Sequence, residues 1–265
     1  MINVKVLCFK GDGVMSAYVE SGPLVTIITV CFNSEMTIRR TIESILHQTY
    51  AHIEYIIIDG DSKDGTLDII QEYKESFGER LRVISEPDEG IYDAMNKGIK
   101  HASGVLIGIL NSDDFYEMDA VEKIVNAWDK NGMQILYGMI RILRDDKEDA
   151  VSLLSHNFLD EKMIWHPATF VTKDVYDKIG LFDTGYKIVA DYDFIFRAHK
   201  SQEVRFVPVY SIITNYSRGG ASDTMEGYLE GLRCRRDKGI LSDMTYRISC
   251  IYEPLRRWAQ RKLWR

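Results

Sequence analysis

The stretch Leu24-Val25-Thr26-Ile27-Ile28-Thr29-Val30-Cys31-Phe32 runs nine residues without a charge and is ended by Asn33-Ser34. Apolar and β-branched side chains at odd and even positions leave no face for water, so the segment reads as a strand covered on both sides, the environment of a parallel sheet. Ile38, Ile42, Ile45 and Leu46 follow at i, i+4, i+7 and i+8. They form one face of a helix that returns to the sheet, with Ser34 as its expected N-cap and Gln48-Thr49-Tyr50 at its end. The unit repeats. Tyr55-Ile56-Ile57-Ile58 leads through a polar loop, Asp59 to Gly65, into a helix expected to turn Leu67, Ile70, Tyr73 and Phe77 inward. Leu81 to Ser85 is a short strand, and Ile91, Ala94, Met95, Gly98, Ile99 and Ala102 keep helical spacing. Val105 to Leu110 is a further strand closed by Asn111-Ser112-Asp113-Asp114, and Val121, Ile124, Val125 and Trp128 mark the next helix. This alternation predicts an α/β fold, a Rossmann-like, mostly parallel twisted sheet with helices on both faces.

Past residue 135 the pattern loosens into a strand near Ile135 to Leu143, an acidic turn at Asp145 to Asp149, helices near Asp174 to Ile179 and Asp191 to Lys200, and a strand at Val204 to Val209. Residues 1–22 show a short apolar patch, Val4 to Phe9, but no period, and are set apart as an N-terminal extension; the main domain spans 23–222 and a basic helical segment 223–265. Nowhere do roughly 20 apolar residues run together, and no basic-then-apolar leader opens the chain, which predicts a cytoplasmic protein. Cys8, Cys31, Cys234 and Cys250 form no C-x-x-C pair and read as reduced packing residues. The net charge of −7 is uneven: Arg233 to Arg265 carry ten Lys/Arg against Asp237, Asp243 and Glu253, a local +7 that leaves −14 on the rest. So acidic a body excludes bulk nucleic-acid binding.

In open α/β sheets ligands bind at the carboxyl ends of the strands. Three polar clusters fall there: Asn33-Ser34, Asp59-Gly60-Asp61-Ser62 and Asn111-Ser112-Asp113-Asp114. Each alone is an ordinary turn; three on one edge outline a site. The adjacent carboxylates of Asp113 and Asp114 make a hard oxygen site suited to Mn²⁺ or Mg²⁺ shared with substrate phosphates, so a metal-bound nucleotide is the expected ligand. No G-x-x-x-x-G-K-[ST] loop occurs, and Gly11-Asp12-Gly13 lacks the third glycine and the strand of a dinucleotide fingerprint. Asp64-Gly65-Thr66-Leu67 echoes an aspartyl-phosphatase signature, but Ser62 stands where the nucleophile belongs.

The order of these pieces resembles the family 2 glycosyltransferases with the GT-A fold over about residues 23–218. Thr29 to Asn33 looks like the first nucleotide-binding strand, Ser44-Ile45-Leu46-His47-Gln48-Thr49-Tyr50 like the end of the first helix, and Asp59 to Thr66 like the second loop. Asn111-Ser112-Asp113-Asp114 stands where the family's metal-binding D-x-D lies, with Asn111 in place of a frequent Asp. His166-Pro167-Ala168-Thr169-Phe170, Ile179-Gly180-Leu181-Phe182-Asp183 and Ala190-Asp191-Tyr192-Asp193-Phe194 match the acceptor-side half. The resemblance implies transfer of a sugar, with inversion, from a nucleotide-sugar donor, most often a UDP-sugar, to an acceptor hydroxyl. Asp113 and Asp114 would hold the metal, Asp113 also meeting the nucleotide. Thr29, Phe32, Asn33, Asp59 and Asp61 would form the nucleotide pocket. Asp191 would be the base, although Ala190 replaces the Glu of the family's E-D motif; its alternative is an N-cap. Asp193, two positions on, is the weaker candidate. His166, Asp93, Lys97 and Arg218 are further candidates for the diphosphate, sugar or acceptor, Lys97 because Met95 occupies the place of a family Arg. Ser217-Arg218-Gly219-Gly220-Ala221-Ser222 would be a lid.

In the tail, Arg256, Arg257, Arg261, Lys262 and Arg265 interleave with Leu255, Trp258, Leu263 and Trp264, a composition suited both to an anionic membrane surface and to an ordinary packed helix. The first use fits a lipid-linked acceptor at the inner face of a membrane. The processive relatives' Q-x-x-R-W has Pro254 in its Gln position here, which favours addition of one sugar to a glycan or lipid-linked acceptor, as in bacterial surface-polysaccharide assembly. Two other readings stay open, a nucleotidyltransferase and a catalytically silent nucleotide-sugar-binding module.

Overall fold

The computed structural model describes residues 22–220 and 224–263, without the side chains of 254, 255 and 257–263. Cys8 and the rest of the expected extension up to residue 21 lie outside the described residues, as do Ala221, Ser222, Trp264 and Arg265. The elements run β1 (Val25–Cys31), α1 (Ile38–Leu46), β2 (Ile53–Asp59), α2 (Thr66–Glu72), α3 (Lys74–Phe77), β3 (Leu81–Ser85), α4 (Ile91–His101), β4 (Leu106–Asn111), β5 (Phe115–Tyr116) and α5 (Ala120–Ala127). They continue as β6 (Gln134–Arg144), β7 (Lys147–Ser152), β8 (Thr169–Thr172), α6 (Lys173–Ile179), α7 (Ala190–Ser201), β9 (Arg205–Ser217), α8 (Met225–Asp237) and α9 (Asp243–Leu263). A short 3₁₀ turn, His166–Ala168, leads into β8.

One sheet holds the strands in the order β3-β2-β1-β4-β8-β6-β9-β5, with β7 paired to β6. Its first four strands are parallel and so is the long β6–β9 ladder, while β8, β5 and β7 pair antiparallel. The chain thus forms the α/β fold its alternation predicts. Side chains alternate along a strand, and β1 shows why it carries no charge. Ile28 and Val30 enter a core layer built with Tyr92, Met95 and Ile99 of α4 and Phe194 of α7. Val25 and Ile27 enter the opposite layer with Ile38 and Ile42 of α1 and Ile124 of α5. Gly108 on β4 is a packing requirement, since a Cβ there would stand 2.6 Å from the Phe170 ring on β8.

Local departures from the sequence pattern have local causes. Residues 34–37 form a turn before α1, in which the Ser34 carbonyl accepts from the N–H groups of Thr37 and Ile38; Ser34 is therefore not the N-cap, which is Thr37. The helix expected through Phe77 breaks at Tyr73 into α2 and α3, leaving Leu67 exposed while Ile70 and Phe77 stay buried. The acidic turn narrows to Asp145 and Asp146, both at positive φ, and the chain continues from Lys147 as β7. β9 runs well past Val209, and its register against β6 slips around Met139, which erases the two-residue period there.

Asp193, 1% exposed, locks α7 in place. It pairs with Arg197 Nε at 2.8 Å and with Lys238 just after α8, and the Arg197 guanidinium also donates to the carbonyls of Ile179 and Leu181. Breaking a buried charge network by removing one partner is costly, less so when the cations keep some exposure. Asp193→Ala is expected to lower unfolding stability by about 2–3 kcal/mol in urea titration. Stability within about 0.5 kcal/mol of the parent would remove the network as a determinant of the fold.

Candidate active site

Parallel register brings the polar clusters to one edge: Cys31 lies opposite Asp59, Val30 opposite Asn111, and Asp59 opposite Ser85. Hydrogen bonds stitch the loops together. Asn33 N–H donates to Ser62 Oγ (2.8 Å), Lys63 N–H donates to Asn33 Oδ1 (2.9 Å), and Ser34 Oγ lies 2.8 Å from Ser112 Oγ. Asn33 is exposed at φ 49° and Phe32 is 60% exposed, so both reach solvent at the rim of β1. Asp61, at φ 67°, also faces outward and pairs with Lys63 Nζ at 2.7 Å.

Two predicted nucleotide contacts lie elsewhere. Thr29 is fully buried within β1, its hydroxyl accepting from Tyr55, so it belongs to the core. Asp59 has no exposed surface, and both its oxygens are engaged: Oδ1 accepts from Ser62 Oγ, and Oδ2 from Ser62 N–H (3.1 Å) and Ser85 Oγ (2.7 Å). In this structure these bonds tie it to the loop and to β3. Asp88, which sequence reasoning passed over, occupies the rim instead. A Cβ on Gly60 would stand 2.5 Å from Asp88 Oδ2 and 3.4 Å from the Phe32 ring, so the glycine is what lets the carboxylate and the ring meet there.

Asp113 is half-buried and Asp114 is 1% exposed. Asp114 Oδ1 accepts from Ser217 N–H at 2.9 Å, but its Oδ2 and the Oδ1 of Asn111 are buried with no hydrogen-bond partner. Burial raises the Asp113 carboxyl, and burial followed by the charge of Asp113 pushes Asp114 well above the usual carboxylate range. Arg40 of α1, a residue the sequence did not single out, opposes both shifts; its guanidinium lies over the Phe115 ring and reaches Ser217 Oγ. Buried acceptors that lack donors, beside two repelling carboxyls, suit a divalent cation, which supplies the missing charge. Among the described residues no group of three His, Cys, Asp or Glu could enclose a metal. Asp113 and Asp114 would therefore hold one only together with ligand or water oxygens.

The other half of the site opens across β4. Ile109, two residues before Asn111, shares a cavity with His166, Tyr176, Phe182 and Asp191. Asp191 sits in the first turn of α7, whose N-cap is Val189, so it is not itself the cap. Its Oδ1 accepts from Tyr92 Oη and Tyr192 N–H, both at 2.9 Å. Burial raises the Asp191 carboxyl and lowers the His166 imidazole, while the pair oppose each other's shifts. A carboxyl raised by burial and an imidazole lowered by it thus line one cavity.

Three weaker candidates are tied down locally. Lys97 Nζ donates to the Pro87 carbonyl and pairs with Glu86 and Asp93, so Asp93 and Lys97 hold each other on α4. Arg218, beyond the end of β9, pairs with Asp149 on β7 at 3.0 Å.

The family described as Glycosyl transferase family 2 matches residues 26–188, ending just short of Asp191. A PGL/p-HBAD biosynthesis glycosyltransferase of Mycobacterium bovis BCG is 27% identical over 208 residues, covering 77% of this chain and 81% of that one. The structure of S. aureus TarS 1-349 in complex with UDP-GlcNAc superposes with TM-score 0.66 at 17% identity, covering 83% of this chain and 67% of that one. This chain spans 40% of the longer TarS chain. A Pyrobaculum calidifontis mannosyltransferase, solved with GDP-Man and Mn²⁺, gives TM-score 0.60 at 19% identity over 83% of this chain and 64% of that one. At such identities the structures establish the GT-A type of fold alone. The family match spans more than half of the chain. The chain is a glycosyltransferase and belongs to glycosyl transferase family 2.

Proposed function

We propose that this enzyme transfers a single sugar, with inversion, from a UDP-sugar to the hydroxyl of a glycan or lipid-linked acceptor, with the help of Mn²⁺ or Mg²⁺. The observation that carries the reading is the Asp113–Asp114 pair, with the partnerless buried oxygens of Asp114 and of neighbouring Asn111, joined through β4 to the cavity of Asp191. Asp113 and Asp114 would hold the cation, which when bound supplies the charge that stabilises a departing diphosphate. Phe32, Asn33, Asp61 and Asp88 form the rim on which the nucleoside rests, and Asp113 contributes from below. Asp191 receives the proton of the acceptor hydroxyl, and His166 lines the same cavity. Residues 23–222 would carry the transfer and 223–265 would serve attachment. A TarS structure holds UDP-GlcNAc and the mannosyltransferase holds GDP-Man with Mn²⁺, which supports a metal-bound nucleotide-sugar here.

Calorimetric titration with UDP and GDP, each with Mn²⁺ or chelator, is expected to give metal-dependent binding of UDP. Because a cation binds the ionised carboxylates and burial raises both, affinity should fall as pH is lowered. UDP binding that ignores chelator would remove the cation from the reading, and preference for GDP would replace the donor class. Asp191→Asn should retain UDP binding and lose turnover by about 10²-fold or more; near-normal turnover would take Asp191 out of the mechanism.

The tail offers a surface of its own. Met244 (71% exposed), Ile248 (57%), Ile251 (64%) and Tyr252 (62%) fall at i, i+4, i+7 and i+8 on one face of α9, and Leu255 and Trp258 keep the same spacing in sequence. Arg247 is exposed beside this face, and further basic residues follow in sequence on an otherwise acidic chain. No helix among the described residues is long and apolar enough to cross a membrane. The occupant this face fits is an anionic bilayer at the cytoplasmic side of a membrane, with apolar side chains among the acyl chains and cations at the headgroups. The full chain is expected to co-sediment with vesicles of phosphatidylglycerol and phosphatidylcholine, weakly with phosphatidylcholine alone, and with neither after Ile248→Glu and Ile251→Glu together. No sedimentation, or a stripe that makes dimers instead, would overturn this.

A further inference from the structure

Tyr92 stands in the first turn of α4, two residues after the Gly90 cap, whose φ of 124° few residues but glycine adopt. The side chain is 6% exposed and its ring packs on Phe182, with centroids 5.5 Å apart. Its hydroxyl lies 2.9 Å from Asp191 Oδ1 and 2.7 Å from the Ile188 carbonyl oxygen. A phenol has one proton to donate, so only one of these acceptors can receive it at a time. While Asp191 is ionised the carboxylate receives it, because the charge-assisted bond is the stronger. Once Asp191 is protonated, the hydroxyl is free to turn to Ile188.

The surroundings fix both acceptors. Glu230 of α8 accepts from the N–H groups of Lys187, Ile188 and Val189, which anchors the backbone that presents the Ile188 carbonyl. Tyr192 N–H joins Tyr92 on Asp191 Oδ1, so both donors hold one oxygen and Oδ2 is the one left to take a proton. The other ionisable groups around Asp191 do different work. His166 and Tyr176 line the cavity from the 3₁₀ turn and from α6, and Glu230 is occupied by three backbone N–H groups.

We propose that Tyr92 is a positioning residue for the base, donating its one hydroxyl proton to Asp191 Oδ1 and so holding Oδ2 toward the acceptor. The proposal rests on the reading of Asp191 given above. In the transfer step the acceptor O–H bond breaks and its proton passes to Asp191 Oδ2. The acceptor oxygen forms the new bond to the sugar's anomeric carbon, and the bond from that carbon to the diphosphate breaks, its electron pair leaving with the nucleotide. Tyr92 keeps its proton throughout and exchanges acceptors.

The test compares the full chain with Tyr92→Phe, both labelled with ¹³C at the aspartate carboxyls, the Asp191 resonance being identified by its absence from Asp191→Asn. A hydrogen bond to a charged form favours that form, so its loss should raise the Asp191 titration midpoint by about one pH unit. The acid limb of UDP release from UDP-GlcNAc should move the same way, with turnover below the limb falling up to about tenfold and recovering as pH rises. Mn²⁺-dependent UDP affinity should not change. An unmoved midpoint overturns the role of Tyr92, as does a loss of turnover equal at every pH. A midpoint that moves while Asp191→Asn keeps full turnover leaves the hydrogen bond standing and removes the base it was proposed to serve.

Discussion

Burial of carboxylates at one edge of a parallel sheet is the constraint to which the rest of the site answers. Neighbouring strands end in register, so Asp59, Asn111, Asp113 and Asp114 are gathered where apolar strands give way to loops. An ionised carboxylate taken from water needs donors or a counter-charge. Asp59 receives them from Ser62 and Ser85, and Asp193 from Arg197 and Lys238, and both act as struts. Asp113 and Asp114 do not receive enough, and burial raises them both. How fully a buried acid is satisfied thus separates Asp59 and Asp193 from the Asp113–Asp114 pair. The linkage follows. A carboxyl whose folded pKa is raised contributes stability that is fully present below its unfolded pKa and lost as pH rises through its folded pKa. Near neutral pH the unliganded site therefore costs stability, which binding of a cation would offset.

The loop before Asp191 is held from beyond the family's matched segment. Glu230 takes three consecutive backbone N–H groups just before α7, Tyr186 donates to Asp237, and Arg233 donates to the Gly185 carbonyl. These contacts place the loop from which Asp191 projects. α8 is in this sense part of the site's scaffold, although none of its residues reaches the cavity that Asp191 lines.

The parallel half of the sheet was legible because β1, β2 and β4 are mostly apolar and separated by strongly periodic helices, so that one reading of β1 with α1 served for β2 and β4 as well. The strand-end clusters were legible for the same reason, since topology alone assigns them to one edge. What escaped was whatever depends on side-chain partners across the fold. Nothing in the spacing around Asp59 shows that Ser85, far along the chain, takes its second oxygen, nor that Thr29 is turned into the core rather than toward the edge. Tyr92 looked like one more residue of an amphipathic helix, and only the approach of α7 gives its hydroxyl a purpose. β8 is central in the sheet but four residues long, too short for a period to register.

The geometry also bears on how an acceptor could arrive. α9 packs on α8, with Arg236 over the Tyr246 ring at 4.5 Å, and α8 in turn braces the loop carrying Asp191. Among the described residues the tail is therefore joined, through α8, to the loop that carries Asp191. A bilayer seated on the exposed face of α9 would, on the proposed reading, be tied to the side of the enzyme where the acceptor is received. A nucleotide-sugar, water-soluble and supplied from solution, needs no such tether, whereas an acceptor anchored in lipid gains from one, because confinement to a surface raises its effective concentration at the site. On the proposed reading, α8 therefore links the position of such a tether to the loop before Asp191.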